Sequence, residues 1–146
     1  MQSATYSVIL SFLKDRIIEI IGLFIIVLSF FLFLSLFSYT PEDPNFIFSE
    51  NKKIQNLFGF YGSFTSDLIF QSFGIISFLF CITIFFTGML IIKYKKISKI
   101  LSNLFYSIIY ISAGSTFISI YKDNSFWLIA NGNGGFVGRN IKEFIY

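Results

Sequence analysis

Residues 68–92 form an apolar run without one charged side chain, and this run restricts the possible folds more than any other feature. Gln71 is the only strongly polar residue in it. A helix of about 20 apolar residues crosses the hydrocarbon core of a bilayer, so the run is long enough to cross with some tilt. We therefore predict a transmembrane helix over residues 68–92.

Two further runs have the length and the apolar character of membrane spans. Residues 17–37 contain Glu19 as their only charge and would extend for roughly 30 Å as a helix. A signal peptide is the alternative, but no small-residue cleavage site closes the run. Glu19 is expected to pair with Arg16 or to reach the lipid headgroups, rather than to act as a functional carboxylate within the membrane. Residues 100–121 form the third predicted span.

The composition supports an all-α integral membrane protein, a polytopic helical bundle. Of 146 residues, 55% are hydrophobic and only 13% are charged, and a soluble core of this size cannot hide so much apolar surface. The 22 Phe and 8 Tyr residues could suggest nucleic-acid binding. They lie in uncharged runs, however, where no basic stripe can form, so we expect no direct binding of nucleic acid by this segment.

The charges predict how the spans are oriented. Lysines cluster in residues 93–99, and Lys14 and Arg16 precede the first span. Residues 38–67, by contrast, have two lysines and four acidic residues: Glu42, Asp43, Glu50 and Asp67. By the positive-inside rule, the N-terminal lead (1–16) and the lysine turn (93–99) are cytoplasmic. Residues 38–67 then form an outer loop.

The outer loop has features of a defined structure. Pro41 and Pro44 fix their own φ angles and push the preceding residues towards extended conformations, which predicts a stiff turn. Gly59 and Gly62 permit a bend further on. The next helix is then expected to begin with a cap at Ser63, Thr65 or Ser66, with Asp67 near its positive end. Packing of this loop against the spans is favoured over a dedicated partner surface.

The third span carries small residues four positions apart, a spacing that lets two helices approach closely in lipid. This face is predicted to pack on another helix within the chain or between copies, so self-association is left open. A chance scatter of serines is the alternative. The predicted packing residues are Ser112, Ser115, Thr116 and Ser119.

Residues 122–146 are predicted as an outer interfacial segment, a glycine-rich turn and the start of a fourth helix. Trp127 suits the membrane interface. The helix is expected to begin at Gly138, with its body beyond this chain. The glycines do not match a dinucleotide-binding loop, because Val137 stands where a glycine is needed, and the chain has no Gly-Lys pair for a Walker A loop.

The chain offers no constellation for catalysis. It has no histidine, and its single cysteine, Cys81, excludes a disulfide within the chain and is read as a packing residue. An ordinary zinc or haem site is excluded as well. We predict no catalytic, cofactor-binding or metal-binding residues.

Three segments in order carry a resemblance: SYTPEDPNF after the first span, NLFGFYGSFTSDLIFQSFG leading into the second, and NGNGGFVG after the third. Together with the lysine turn, they resemble the four-span N-terminal region of the FtsK/SpoIIIE family of DNA translocases. The residues that carry this resemblance are Tyr39, Pro41, Asp43, Pro44, Asn56, Gly59, Gly62, Asp67, Gly74, Gly134, Gly135 and Gly138.

The resemblance implies a membrane anchor at the division site of the bacterial inner membrane, with cell-division proteins and the lipid bilayer as partners. It also implies an ATP-driven DNA motor further along the same polypeptide, whose activity cannot be assigned to any residue here. The alternative is a stand-alone polytopic protein, either transporter-like or a subunit of a complex. Transporters place polar or ionisable groups near mid-membrane, and only uncharged residues such as Gln71 and Asn103 come close to that pattern, so the anchor is favoured.

Overall fold

The computed structural model describes residues 2–44, 53–122 and 132–145. Residues 45–52 of the predicted outer loop and residues 123–131, which include Trp127, lie outside the described part. The described ranges contain helices and no strand, which confirms the all-α fold class. The helices are α1 (Gln2–Phe37), α2 (Gly59–Phe73), α3 (Ser77–Tyr94), α4 (Ser98–Tyr121) and α5 (Gly135–Ile145), with a 3-10 turn at Gly74–Ile76.

Three stretches are helical, long and apolar enough to cross a membrane: Tyr6–Phe37, Gly59–Tyr94 and Ser98–Tyr121. Only 22 to 28% of the most apolar part of each stretch is buried inside the protein. Large apolar side chains such as Leu23, Phe24 and Phe105 therefore point away from the bundle. Lipid must cover them, because a soluble protein rarely exposes contiguous apolar surface on this scale.

The second helical stretch begins earlier than predicted and is interrupted. α2 begins at Gly59 rather than at residue 68, because the Asn56 carbonyl accepts the Gly59 N–H (2.9 Å) and starts the helix there. Gly74 then leaves helical geometry (φ +65°, ψ −149°) and separates α2 from α3. α3 alone, with 18 residues, covers about 27 Å at 1.5 Å per residue, close to the thickness of a hydrocarbon core.

The predicted helix cap in the outer loop is wrong. Ser63, Thr65 and Ser66 lie inside α2, and none of them caps its beginning. The Thr65 hydroxyl instead donates to the Tyr61 carbonyl (2.7 Å), a bond that a serine or threonine makes within a helix. Asp67 lies in the middle of α2 and not near its positive end.

α1 and α3 pack closely where two glycines, Gly22 and Gly88, face each other. A Cβ atom on Gly22 would lie 3.0 Å from the Gly88 carbonyl oxygen, and one on Gly88 would lie 2.8 Å from that of Gly22. Small residues allow such backbone contact between helices in lipid. Further along the same pair of helices, Leu36 and Cys81 are buried together with Phe70 of α2.

The lysine turn is attached to α1 through Glu19. The expected pair with Arg16 forms, with 2.5 Å between the Arg16 Nη1 and Glu19 Oε2 atoms. Lys95 also pairs with Glu19. Lys95 ends α3 in a left-handed conformation (φ +55°), and its ammonium group reaches across to α1. The Glu19 carboxylate therefore connects α1 to the end of α3.

Candidate functional site

The residues of the resemblance lie at the end of the bundle opposite the lysine turn, where α1 and α4 end and α3 begins. The chain leaves α1 in a tight turn, in which the Asp43 N–H donates to the Thr40 carbonyl (3.1 Å). Within this turn Asp43 is buried and the neighbouring Glu42 is exposed. Two adjacent carboxylates therefore occupy opposite environments.

The Asp43 carboxylate binds the segment that precedes α2. One of its oxygens accepts the Gln55 N–H and the other accepts the Asn56 N–H, both at 2.9 Å. Hydrogen bonds to a charged acceptor are worth about 1.5 to 3 kcal/mol each, more than neutral ones. The Asp43 side chain therefore fixes where the chain returns from the outer loop.

Asn56 joins the end of α1 to the beginning of α2. Its side-chain amide donates to the Ser35 carbonyl (2.9 Å) and the Ser38 carbonyl (3.3 Å), and its side-chain oxygen accepts the Phe58 N–H (3.1 Å). The last carbonyls and the first N–H groups of helices have no partner inside their own helix. One buried asparagine therefore serves two helix ends at once.

Gly62 makes room for this asparagine. A Cβ atom at position 62 would overlap the Asn56 side-chain oxygen. The hydroxyl of Ser63, the next residue in α2, donates to the Pro44 carbonyl (3.0 Å). We call Asp43, Asn56, Gly62 and Ser63, with the Pro44 carbonyl, the loop-end network.

Tyr39 ties the same turn to the middle of α2. Its phenol donates to the Asp67 carboxylate (3.0 Å), and its ring packs against Phe70, with 5.1 Å between ring centroids. Burial, reinforced by the nearby Asp67 carboxylate, raises the pKa of the Tyr39 phenol above its ordinary value. The phenol therefore stays protonated and remains a donor at neutral pH.

A second contact joins Gly74 to the glycine segment before α5. The Ile75 N–H donates to the Asn133 carbonyl (3.0 Å). A Cβ atom on Gly74 would overlap that same carbonyl, and one on Gly135 would overlap the Gly74 backbone. We call Gly74, Asn133, Gly134, Gly135 and Gly138 the glycine contact.

Two of the four predicted packing residues of the third span lie against the glycine contact. A Cβ atom on Gly134 or Gly138 would overlap backbone atoms of Ser115, and Ser119 lies within the same contact. The Ser115 hydroxyl also donates to the Phe73 carbonyl (2.9 Å), where α2 ends. Ser115 and Ser119 therefore let α4 approach both α2 and α5.

The other two packing residues, Ser112 and Thr116, line an open groove between α4 and α5. Their hydroxyl groups donate to carbonyls of their own helix. A contact of this face with another copy of the chain stays a prediction. α5 itself begins at Gly135 rather than at Gly138, because the Gly135 N–H donates to the Gly132 carbonyl (3.1 Å) and closes the turn earlier.

The hydrogen bonds of the loop-end network hold the chain in a fixed shape at this end of the bundle. Within the described ranges, every buried polar side-chain atom has a hydrogen-bond partner. The same ranges contain no group of three His, Cys, Asp or Glu residues that could hold a metal ion. The buried polar side-chain atoms of the loop-end network are therefore all hydrogen-bonded within the described part of the chain.

Sequence reasoning singled out Asp43, Asn56 and Gly62 but did not find their partners. Ser35 and Ser38 contribute through backbone carbonyls, which leave no signal in a sequence. Gly22 and Gly88 were also missed, because each is a lone glycine inside an apolar run. A systematic search for glycines within the predicted spans could have found them.

A family model described as the 4TM region of DNA translocase FtsK/SpoIIIE matches residues 14–146. The match begins before the first predicted span and includes the loop-end network and the glycine contact. No curated protein and no solved structure matches the chain.

Proposed function

The chain belongs to the family of the 4TM region of the DNA translocases FtsK/SpoIIIE, and from this membership we propose that it targets such a translocase to the division site. It is a membrane-anchoring, multi-pass region of that family, and the 4TM region is not a catalytic domain. The match over residues 14–146 is the observation that carries the proposal. Anchoring at the division site would hold the DNA motor beside the closing septum and so couple chromosome segregation to cell division.

The proposed orientation in the bacterial inner membrane follows from the charges. The lysine turn and the N-terminus face the cytoplasm, because basic residues concentrate at that end of the bundle. The loop-end network then faces outwards, where division proteins with outer domains are within reach. Exposed aromatic residues beside this network, Phe60 and Tyr61, would be available to such partners or to the membrane interface.

The loop-end network supports this role because it gives the outer end a defined shape. A free loop would pay a large entropic cost to present one surface to a partner. The bonds of Asp43 and Asn56 reduce this cost by fixing both the exit from α1 and the entry into α2. Cell-division proteins are the partners that we propose for this surface.

A fluorescent protein fused before Met1 should form a band or focus at the division plane of dividing cells. The same fusion carrying Glu42→Gln should localise as the unmodified chain does, because Glu42 is exposed and outside the loop-end network. A fusion spread evenly around the membrane would contradict the proposal and favour a stand-alone polytopic protein.

A further inference from the structure

A groove of about 180 Å³ lies between α1, α3 and α4. It extends from Ile100 and Asn103, in the first two turns of α4 beside the lysine turn, to Phe80 near the beginning of α3. Thr87, on the opposite wall, is two turns before the end of α3. Ile25 and Leu28 of α1 form the third wall.

The polar groups beside this groove are already hydrogen-bonded to each other. The Asn103 side-chain amide donates to the Thr87 hydroxyl (2.7 Å), which in turn donates to the Thr83 carbonyl (2.7 Å). What the walls offer to an occupant is therefore almost entirely methyl and methylene surface. An acyl chain fits this chemistry, whereas a polar ligand would lose its hydrogen bonds with water and gain none.

Two lysine ammonium groups lie together over one aromatic ring at the lysine-turn end of the groove. The ammonium groups of Lys93 and Lys99 both lie over the ring of Tyr94, at 5.3 and 6.0 Å from its centroid. Lys99 is one turn before Asn103 on α4, and Tyr94 is two turns after Thr87 on α3, so both belong to the faces that line the groove.

These two lysines have no anionic partner within the described part of the chain. The carboxylate nearest to the turn, Glu19, is already paired with Arg16 and Lys95. Neither Lys93 nor Lys99 forms an ion pair with any described carboxylate. Two positive charges without an anionic partner among the described residues therefore lie together at the end of the groove.

We propose that this site binds an anionic phospholipid, with the headgroup phosphate between Lys93 and Lys99 and one acyl chain in the groove. The charge of the lysines complements the headgroup, and the apolar walls complement the chain. Basic residues beside membrane spans attract anionic lipids in this way. The proposal requires only that the three long helices lie in a bilayer, and so it does not depend on division-site targeting.

The test uses a tryptophan at position 94, in a Trp127→Phe background, as a reporter that lipids with brominated acyl chains quench. The Tyr94→Trp change preserves the aromatic surface beneath the ammonium groups. Brominated phosphatidylglycerol should associate at least about fivefold more strongly than brominated phosphatidylcholine, since each lysine near the surface contributes roughly that factor. In the Lys93→Gln/Lys99→Gln variant, the two lipids should associate about equally strongly.

The matched control is the Lys53→Gln/Lys122→Gln variant, which removes the same charge at the other end of the bundle and should keep the preference. Ile100→Phe narrows the groove and should weaken the preference although both lysines remain. Equal loss in both lysine double variants, or an unchanged preference in Ile100→Phe, would overturn the site. A last comparison adds inorganic phosphate or, at equal ionic strength, chloride. If phosphate abolished the preference for phosphatidylglycerol and chloride did not, the lysines would form a site for free phosphate, and the proposal would be overturned.

Discussion

Replacing Gly74 with Ala should lower the free energy of unfolding by at least about 3 kcal/mol, the largest single effect that we expect. Gly74 has a backbone conformation (φ +65°, ψ −149°) that is essentially restricted to glycine. A Cβ atom there would also overlap the Asn133 carbonyl that accepts the Ile75 N–H. The substitution therefore adds backbone strain and pushes apart the segments that form the glycine contact.

Cys81 provides the measurement, because it is the only cysteine and is fully buried. A maleimide dye that fluoresces on reaction with its thiol reports unfolding in detergent. The midpoint of thermal unfolding should fall by about 10 °C in Gly74→Ala, at roughly 3 °C per kcal/mol for a chain of this size.

Gly59→Ala is the matched control for this change. Gly59 also has a positive φ angle (+60°), but no atom lies within 4 Å of the position that its Cβ atom would take. The Gly59→Ala change should lower the free energy of unfolding by only about 1 to 2 kcal/mol, because it adds only the strain of the left-handed conformation. If both variants lost the same stability, the close contact between Gly74 and Asn133 would have no energetic importance.

Replacing Asp43 with Asn should lower the free energy of unfolding by about 2 to 4 kcal/mol, the second largest effect that we expect. The carboxylate accepts one backbone N–H on each oxygen, from Gln55 and from Asn56. An asparagine amide presents an NH₂ group to one of these donors and leaves a buried N–H without an acceptor. The thermal midpoint followed through Cys81 should fall accordingly.

The adjacent carboxylate offers a control that matches the lost charge. Glu42→Gln removes the same charge one residue earlier, on an exposed side chain, and should change stability by less than about 0.5 kcal/mol. A general effect of charge at this end of the bundle would instead lower the stability of both variants equally. That result would show that the hydrogen bonds of Asp43 to Gln55 and Asn56 do not stabilise the protein.

The sequence was sufficient to predict the fold class and the family, because both depend on features that are continuous in the chain. An uncharged apolar run must be covered by lipid or by other helices, whatever its neighbours are. The three candidate spans were predicted from the runs at residues 17–37, 68–92 and 100–121, and the structure has helices over all three. The order of the short polar motifs was enough to identify the family.

The beginning of α2 could not be predicted in the same way. Local reasoning placed a helix cap at Ser63, Thr65 or Ser66, since these residue types cap helices well. The helix begins earlier because Asn56 forms bonds to Ser35 and Ser38, which are distant in sequence. Those bonds exist only after α1 and α2 have packed together, so no local pattern reveals them.

The roles of the glycines could not be predicted from local sequence either. Gly74 was recognised as part of a motif, but the reason for a glycine there is a contact with Asn133, far along the chain. The pairing of Gly22 with Gly88 likewise depends on how α1 and α3 cross. Contacts between spans follow from the packing of helices, whereas the existence of spans follows from composition alone.

Accessibility of single cysteines in intact cells tests the central claim most directly, that the loop-end network faces outwards and the lysine turn faces inwards. In a Cys81→Ser background, Leu57→Cys and Lys96→Cys each place one thiol on an exposed position at opposite ends of the bundle. A membrane-impermeant maleimide should label position 57 in intact cells and position 96 only after permeabilisation. Labelling of position 96 from outside, with position 57 protected until permeabilisation, would contradict the account.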